Sequence, residues 1–215
     1  MSGAIEYYEQ HALEFARQVS DPEANSFEFD RNMPDLINLT DSVDGYILDF
    51  GCGAGNFTQS LIRKDRYVSG CDTSPTLLNY ARVHHPNINK FFVWNGIDKC
   101  PEATKYDLIM AKLVFHYIPQ LGRVLDNLSL ALNSEGYLCF SVPHPDKTKL
   151  LAETDTDETI FTDEIGNFGL RLEMLHRTRQ RYIELLKEVG LITVNESNIV
   201  IANKSKRLNI LAKKS

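Results

Sequence analysis

The sequence predicts an α/β fold whose sheet is mostly parallel. Three observations carry this expectation. Short apolar runs alternate with helix-period segments between residues 45 and 142, the pattern that βαβ units leave in a chain. The run Tyr46-Ile47-Leu48-Asp49-Phe50 passes into Gly51-Cys52-Gly53-Ala54-Gly55-Asn56, a strand delivered through a glycine loop into a helix. Asp72 ends the next apolar run, Tyr67-Val68-Ser69-Gly70-Cys71, the place where such folds put an acid that meets a ligand.

The elements follow in order. Residues 4–19 carry Ile5, Tyr8, Ala12, Phe15, Ala16 and Val19 at helical spacing. A turn is expected at Asp21-Pro22, and a second helix over about 30–40 with Met33, Leu36, Ile37 and Leu39. Strands are expected at 45–50, 67–72, 90–95, 106–111 and 136–142. Helices fill 55–64, 75–84 and 120–132, with only a short turn or helix near 97–102. An acidic stretch from Glu153 to Glu164 reads as a solvated loop, running into Ile165-Gly166-Asn167-Phe168-Gly169. A helix over about 174–188 should end at Gly190. Two last strands, 191–200 and 206–213, should form a hairpin turning at Asn203-Lys204-Ser205.

Bulk properties bound the function. A chain of 215 residues suits one domain over 1–215. The net charge of −6 speaks against a nucleic-acid partner. No apolar run is long enough to span a membrane, and the first residues lack the basic and apolar segments of a signal peptide. Cys52, Cys71, Cys100 and Cys139 have no CxxC spacing, so buried free thiols are expected rather than disulfides or zinc. No metal site is expected, and the location expected is the cytoplasm.

The glycine loop says which ligand class to expect. Gly51 suits a tight turn, Gly53 a close backbone approach to a ligand, and Gly55 close helix–strand packing. A dinucleotide fingerprint needs glycine at the sixth position from Gly51, and that position is Asn56. The absence of a Tyr-x-x-x-Lys pair also disfavours a nicotinamide oxidoreductase. A hydrophobic strand, an acid and glycines at alternate positions resemble instead the class I S-adenosylmethionine-dependent methyltransferases. The likeness spans roughly residues 5–200 and is nearest to the small-molecule, methyltransferase-domain 11/12-like branch. It implies a Rossmann-like seven-stranded, mostly parallel sheet with a C-terminal antiparallel hairpin and helices on both faces. Residues 1–42 would be lid helices and 144–173 a substrate-cap insertion, the whole acting as a monomer or homodimer on a small molecule.

That resemblance also assigns residues. S-adenosylmethionine would lie against Asp49, Gly51, Cys52, Gly53 and Gly55, with the Asp72 carboxylate accepting both ribose hydroxyls and Thr73 at the ribose edge. The usual adenine segment is replaced by Trp94-Asn95-Gly96-Ile97-Asp98. There Asn95 or Asp98 could accept from the adenine and the Gly96 and Ile97 amides could reach the ring, while Trp94 is either core or an adenine wall. Ala111 and Lys112 would border the amino end of the cofactor. The fourth strand lacks Asn-Pro-Pro-Tyr, a Pro-Cys nucleophile and a terminal aspartate, which disfavours DNA modification and metal catalysis.

On the acceptor side, Ser141-Val142-Pro143-His144-Pro145 and His176-Arg177 match that branch, and Phe29-Asp30-Arg31-Asn32-Met33-Pro34 matches it loosely. Tyr7-Tyr8 and His11 lie on the expected lid helix. His144, His116 and His176 are the candidate acid–base residues. Tyr7, Tyr8, Arg31, His116, His144 and Arg177 are the candidate substrate contacts. The activity implied is methyl transfer to O, N or C of a small metabolite. The alternatives are a cofactor-binding cyclase or regulator of the same fold, or a protein or RNA methyltransferase.

Overall fold

The structure, a computed structural model, describes residues 3–20, 29–165, 170–201 and 205–215. Its centre is a seven-stranded sheet. Strands β1 (Gly45–Phe50), β2 (Arg66–Asp72), β3 (Lys90–Val93), β4 (Tyr106–Lys112) and β5 (Leu132–Pro143) are followed in this sheet by β8 (Leu191–Ile201) and β9 (Ser205–Lys214). The spatial order is β3-β2-β1-β4-β5-β9-β8. The first five strands pair in parallel, while β9 runs antiparallel to both β5 and β8.

Chain order reverses between β1 and β4. Strands laid down after β1 go one way, those from β4 onward the other. A crevice therefore opens at the C-terminal strand ends, where open α/β sheets hold ligands. The buried strand residues alternate between two cores. One face joins Ile109, Leu138, Phe140 and Ile210 to helices α6 (Leu121–Ala131) and α8 (Arg179–Glu188). The other joins Ile47, Leu108, Met110 and Cys139 to α3 (Phe29–Asn38), α4 (Asn56–Ser60) and α5 (Pro75–His84).

Two helices, α1 (Gly3–Gln10) and α2 (Ala12–Ser20), precede this sheet, separated by one turn residue at His11. Ala12, Ala16 and Val19 bury themselves against Ala54 and Leu77, which lays the pair over the glycine loop.

The 144–173 segment differs from its expectation. It forms α7 (Pro145–Ala152) and strand β6 (Thr159–Ile165), which pairs antiparallel with β7 (Leu170–His176). The helix expected from residue 174 begins only at Arg179. Leu172, Met174 and Leu175 fit either period, and the true start is fixed by Thr178, whose hydroxyl accepts from the Arg181 amide as an N-cap. No helix covers 97–102. The turns expected at Asp21-Pro22 and around Asn203-Lys204, and Gly166–Gly169, lie outside the described residues.

Gly55 sits at φ +86, and a β-carbon there would stand 2.8 Å from His85 Cδ2 and 3.1 Å from Ala81 Cβ. Left-handed backbone and crowding both oppose a side chain. Gly55→Ala should therefore lower unfolding free energy by about 1–3 kcal/mol, read from urea denaturation. A loss below about 0.3 kcal/mol would show that α4 can shift to admit it.

Candidate active site

The crevice is built on one carboxylate. Asp72 Oδ2 accepts from the Gly53 amide at 2.8 Å and Oδ1 from the Ser74 amide at 3.0 Å. The loop after β1 is thus tied to the loop after β2. Above them, the Cys71 carbonyl accepts from both Gly51 N (2.8 Å) and Cys52 N (2.9 Å). Gly53, at φ +53, presents open space: a β-carbon there would meet only Phe15 Cε1, at 3.7 Å. Burial raises the Asp72 carboxyl, and the amides of Ser74, Gly53 and Thr73 oppose that rise. Thr73 itself is half-buried beside it.

Asp49 lies deeper. It is 1% exposed and accepts from Thr58 Oγ1 at 2.6 Å. Burial pushes its pKa up to about 7, against the lowering effects of Thr58 and Lys112. Lys112 lies 5.2 Å from the centre of the Phe57 ring, so it turns inward. Ala111 is fully buried.

Helices α1 and α2 pack over this side. Glu9 accepts from Ser74 Oγ and Thr76 Oγ1, and both bonds hold its carboxyl below the usual range. Tyr8 meets Phe15 and Tyr117 edge-on, at 5.1 and 5.9 Å. The side chains of Tyr7 and Arg31 lie outside the described residues.

The segment after β3 is engaged within the chain. Trp94 is core, its Nε1 donating to the Asp98 carbonyl at 2.9 Å. Asn95 Oδ1 accepts from the Ile97 amide at 2.9 Å, so that amide is already paired. Gly96 is buried, and its carbonyl accepts from Asn127 Nδ2 at 2.9 Å.

The acceptor-side candidates separate into two kinds. His116, on the one-turn 3₁₀ helix Phe115–Tyr117, is 3% exposed, and its Nδ1 has no hydrogen-bond partner. Burial first, then the charges of Arg207, Arg177 and Lys147, pull its pKa well below the ordinary value. Its surroundings therefore favour the neutral imidazole.

His144, His176 and Arg177 bond within the fold, although His176 Nε2, like His116 Nδ1, is buried with no hydrogen-bond partner. His144 caps α7: Nδ1 accepts from the Asp146 amide at 3.2 Å, and Nε2 donates to Asn198 Oδ1 at 3.0 Å. His176 Nδ1 stands 2.7 Å from Thr148 Oγ1, while burial lowers its pKa. Arg177 is fully buried and donates to the carbonyls of Phe115 (2.8 Å) and Ile118 (2.6 Å) and to Glu158 (2.7 Å). The expectation that Arg177 meets a substrate gives way to these inward bonds.

Sequence reasoning passed over Glu9, Thr58, Tyr117 and Arg207. Arg207 and Asn209 alternate with Leu208 and Ile210 on a strand that has neighbours on both sides, which only the pairing reveals. Among the described residues, no group of three His, Cys, Asp or Glu could hold a metal ion.

This geometry has known counterparts. Residues 48–138 match the family model described as a methyltransferase domain. That domain match covers less than half of the chain, and the fold is shared with an S-adenosylmethionine-dependent methyltransferase of Listeria monocytogenes at a TM-score of 0.69 and 23% identity, covering 86% of this chain and 97% of that one. The chain is 31% identical over 109 residues to a malonyl-[acyl-carrier protein] O-methyltransferase of Acetivibrio thermocellus, covering 50% of this chain and 38% of that one. It is 32% identical over 160 residues to a trans-aconitate 2-methyltransferase of Agrobacterium fabrum, covering 69% and 60%. The matched regions thus span less than two thirds of either relative's length. Among solved structures, the N-methyltransferase NodS of Bradyrhizobium japonicum WM9, in complex with S-adenosyl-l-homocysteine, superposes with a TM-score of 0.68 at 17% identity, covering 94% of this chain and 97% of that one.

Two predictions follow from the methyltransferase domain's own contacts. A carboxyl whose folded pKa lies above its unfolded value stabilises the fold while protonated. For Asp49 that contribution is complete below about pH 4 and is lost as the pH rises through about 7. Asp49→Asn should flatten the fall in stability between these limits, followed by urea denaturation at several pH values. Parallel pH profiles for variant and wild type would count against a protonated Asp49.

For His144, the loss of a cap should dominate. His144→Ala should cost about 0.5–2 kcal/mol of stability, with turnover per folded molecule within about threefold of wild type. A fall of about 10²–10⁴ in turnover at unchanged stability would return His144 to the chemistry.

Proposed function

We propose that this chain transfers the methyl group of S-adenosylmethionine to O, N or C of a small molecule. The observation that carries this reading is the Asp72 carboxylate. Its two oxygens offer about four lone-pair sites, and the amides of Gly53, Ser74 and Thr73 draw on three of them. That leaves acceptor capacity directed at the crevice for a ribose hydroxyl. The open face of Gly53 leaves room for the rest of the ligand at the same edge.

When bound, the cofactor supplies an activated methyl carbon on a sulfonium. The chain's own part is to hold and exclude. The lid residues Tyr8 and Phe15 cover the crevice and keep water out. Tyr117 and His116 line the acceptor side, where fixing the acceptor in line can supply much of the acceleration. The neutral His116 can orient a hydroxyl or take its proton. The relatives' names, which specify methyl transfer to malonyl-[acyl-carrier protein] and to trans-aconitate, support a small acyl or organic-acid acceptor group, carrier-borne or free, over a nucleic acid. Four unpaired thiols fit a reducing compartment, and we place the chain in the cytoplasm, as a monomer or homodimer.

Calorimetric titration with S-adenosylhomocysteine should give micromolar-range affinity, and NADH none. Asp72→Ala should weaken that affinity by about 1.5–3 kcal/mol. Wild-type affinity in the variant would remove Asp72 from the ribose site. Absence of S-adenosylhomocysteine formation with every acceptor tried, despite tight binding, would favour the non-methylating reading of the fold.

A further inference from the structure

The last strand of the sheet borders a groove that methyl transfer does not use. Strand β8 stands at the sheet's edge, and between it and α3 lies a volume of about 490 Å³. Sites for small molecules commonly occupy about 300–1,000 Å³. Asn195, Ser197 and Ile199 stand opposite Leu211, Asn209 and Arg207 of β9. Residues two apart on a strand project to one face, and Leu211 places that face under α3. Asp35 and Leu39 line the groove from α3, and Asn198 joins them from β8.

Bonds made behind the groove turn its polar groups outward. Asn209 Nδ2 donates to Ser197 Oγ at 3.3 Å, so Ser197 keeps its hydroxyl proton for the groove. His144 Nε2 donates to Asn198 Oδ1 at 3.0 Å, and the Glu196 amide donates to Asn195 Oδ1 at 2.8 Å. Each of these two side-chain amides has its oxygen engaged within the chain and its Nδ2 group left to donate. Asn209 stands behind them completely buried, and its Oδ1 has no hydrogen-bond partner. A leucine of similar size would fill that place without the desolvation cost of an unpaired oxygen. What the amide does, and a leucine would not, is hold Ser197.

Three outward donors call for a ligand rich in oxygen. Asp35 is the one charged group among the described residues that line the groove. It repels a carboxylate or phosphate, with no cation in that lining to offset it. A hydroxyl satisfies both kinds of group, since it accepts from an amide and donates to a carboxylate. Leu39 and Ile199 give the C–H faces of such a molecule an apolar wall.

We infer that the groove between α3 and β8 binds a neutral sugar or polyol. Ser197, Asn195 and Asn198 donate to its oxygens, and Asp35 accepts from its hydroxyls. The inference goes beyond methyl transfer and does not depend on it. Ile199 stands opposite Arg207, and Arg207 opposite Pro143, so one end of the groove reaches the strand ends that border the crevice. The sugar can therefore arrive as a free saccharide or as the glycosyl part of an acceptor.

The test uses the full chain, with and without S-adenosylhomocysteine. The probes are glucose, methyl glucoside, cellobiose, trehalose and myo-inositol, with glucuronate as the anionic counterpart. Calorimetry reads affinity, and side-chain amide NMR spectra read location. At least one neutral probe should bind at millimolar concentration or below and shift the Asn195 and Asn198 side-chain resonances. Glucuronate should bind about tenfold more weakly than glucose, and Asp35→Asn should narrow that gap. Ser197→Ala and Asn209→Leu should each weaken the sugar about fivefold or more, while Asn209→Leu is no less stable to urea than wild type. A merely structural Asn209 would lose stability and leave the sugar affinity alone. Affinity for S-adenosylhomocysteine should stay within about threefold in all three variants. Turnover of 4-aminophenyl glucoside against 4-aminophenol separates the two sources. A preference for the glucoside that Ser197→Ala removes assigns the sugar to the acceptor, equal turnover assigns the groove to a separate saccharide, and both support the site. Four results would each overturn the inference: no neutral probe bound at millimolar concentration, glucuronate bound as tightly as glucose, resonance shifts confined to other residues, or an affinity unmoved by both Ser197→Ala and Asn209→Leu. Failure of S-adenosylhomocysteine to bind would strike the methyltransferase reading alone, because the sugar titrations also run without it.

Discussion

The ligand edge depends on Asp72. Its carboxylate joins the loop after β1 to the loop after β2 through the Gly53 and Ser74 amides. Neither loop has a regular ladder to hold it beyond the strands. The connection continues outward, because Ser74 also caps α5 through the Leu77 amide and donates to Glu9 on α1. Two carboxylates thus run in series from the sheet to the lid. A half-buried acid costs desolvation, and directed backbone donors offset it. The same donors fix the direction in which its remaining lone pairs point. Lid position and carboxylate orientation are therefore one mechanical unit.

Much of this was legible in the chain, because it is local. The β1–glycine loop–α4 order and the Asp72 strand end follow from short-range periodicity and from residues that few other backbone conformations would need. The second half was less legible for reasons that particular residues make plain. Leu172, Met174 and Leu175 satisfy a strand and a helix equally, so the β7–α8 boundary depends on the Thr178 cap. Arg177 reads as a substrate contact, yet its guanidinium is buried against the carbonyls of Phe115 and Ile118, some 60 positions away. Arg207 and Asn209 read as the wet side of a terminal strand. Periodicity cannot tell an edge strand from one inside a sheet, and β9 lies inside.

The acidic run from residue 153 shows the same limit. By composition it is a solvated loop, but its carboxylates fasten the β6–β7 hairpin. Asp157 accepts from the Thr178 hydroxyl at 3.1 Å, Asp163 pairs with Lys147 at 3.1 Å, and Glu158 with Arg177 at 2.7 Å. The exposed pair Lys149–Asp155 (2.5 Å) contributes little by comparison, since water screens it. The Glu158–Arg177 contact matters more because removing either partner strands a buried guanidinium or its carbonyls. Composition counted the charges correctly and could not say what they faced.

The switch point also separates charge. On the β1–β2 side stand Asp49, Asp72 and Glu9. On the β4–β5–β9 side stand His116, Arg207 and Lys147, with Lys112 between the two groups. This division does not follow from net charge, which is −6 for the whole chain. It follows from which side chains the strand ends and α7 bring together, and the second half is a mixed set, since Arg177 and Lys147 are paired there with Glu158 and Asp163. Carboxylates held by directed backbone and hydroxyl donors are fixed before any ligand arrives, and preorganised charge of this kind needs no rearrangement when one does. The lowered pKa of His116 belongs to the other half, where burial first and then three cations disfavour its protonation.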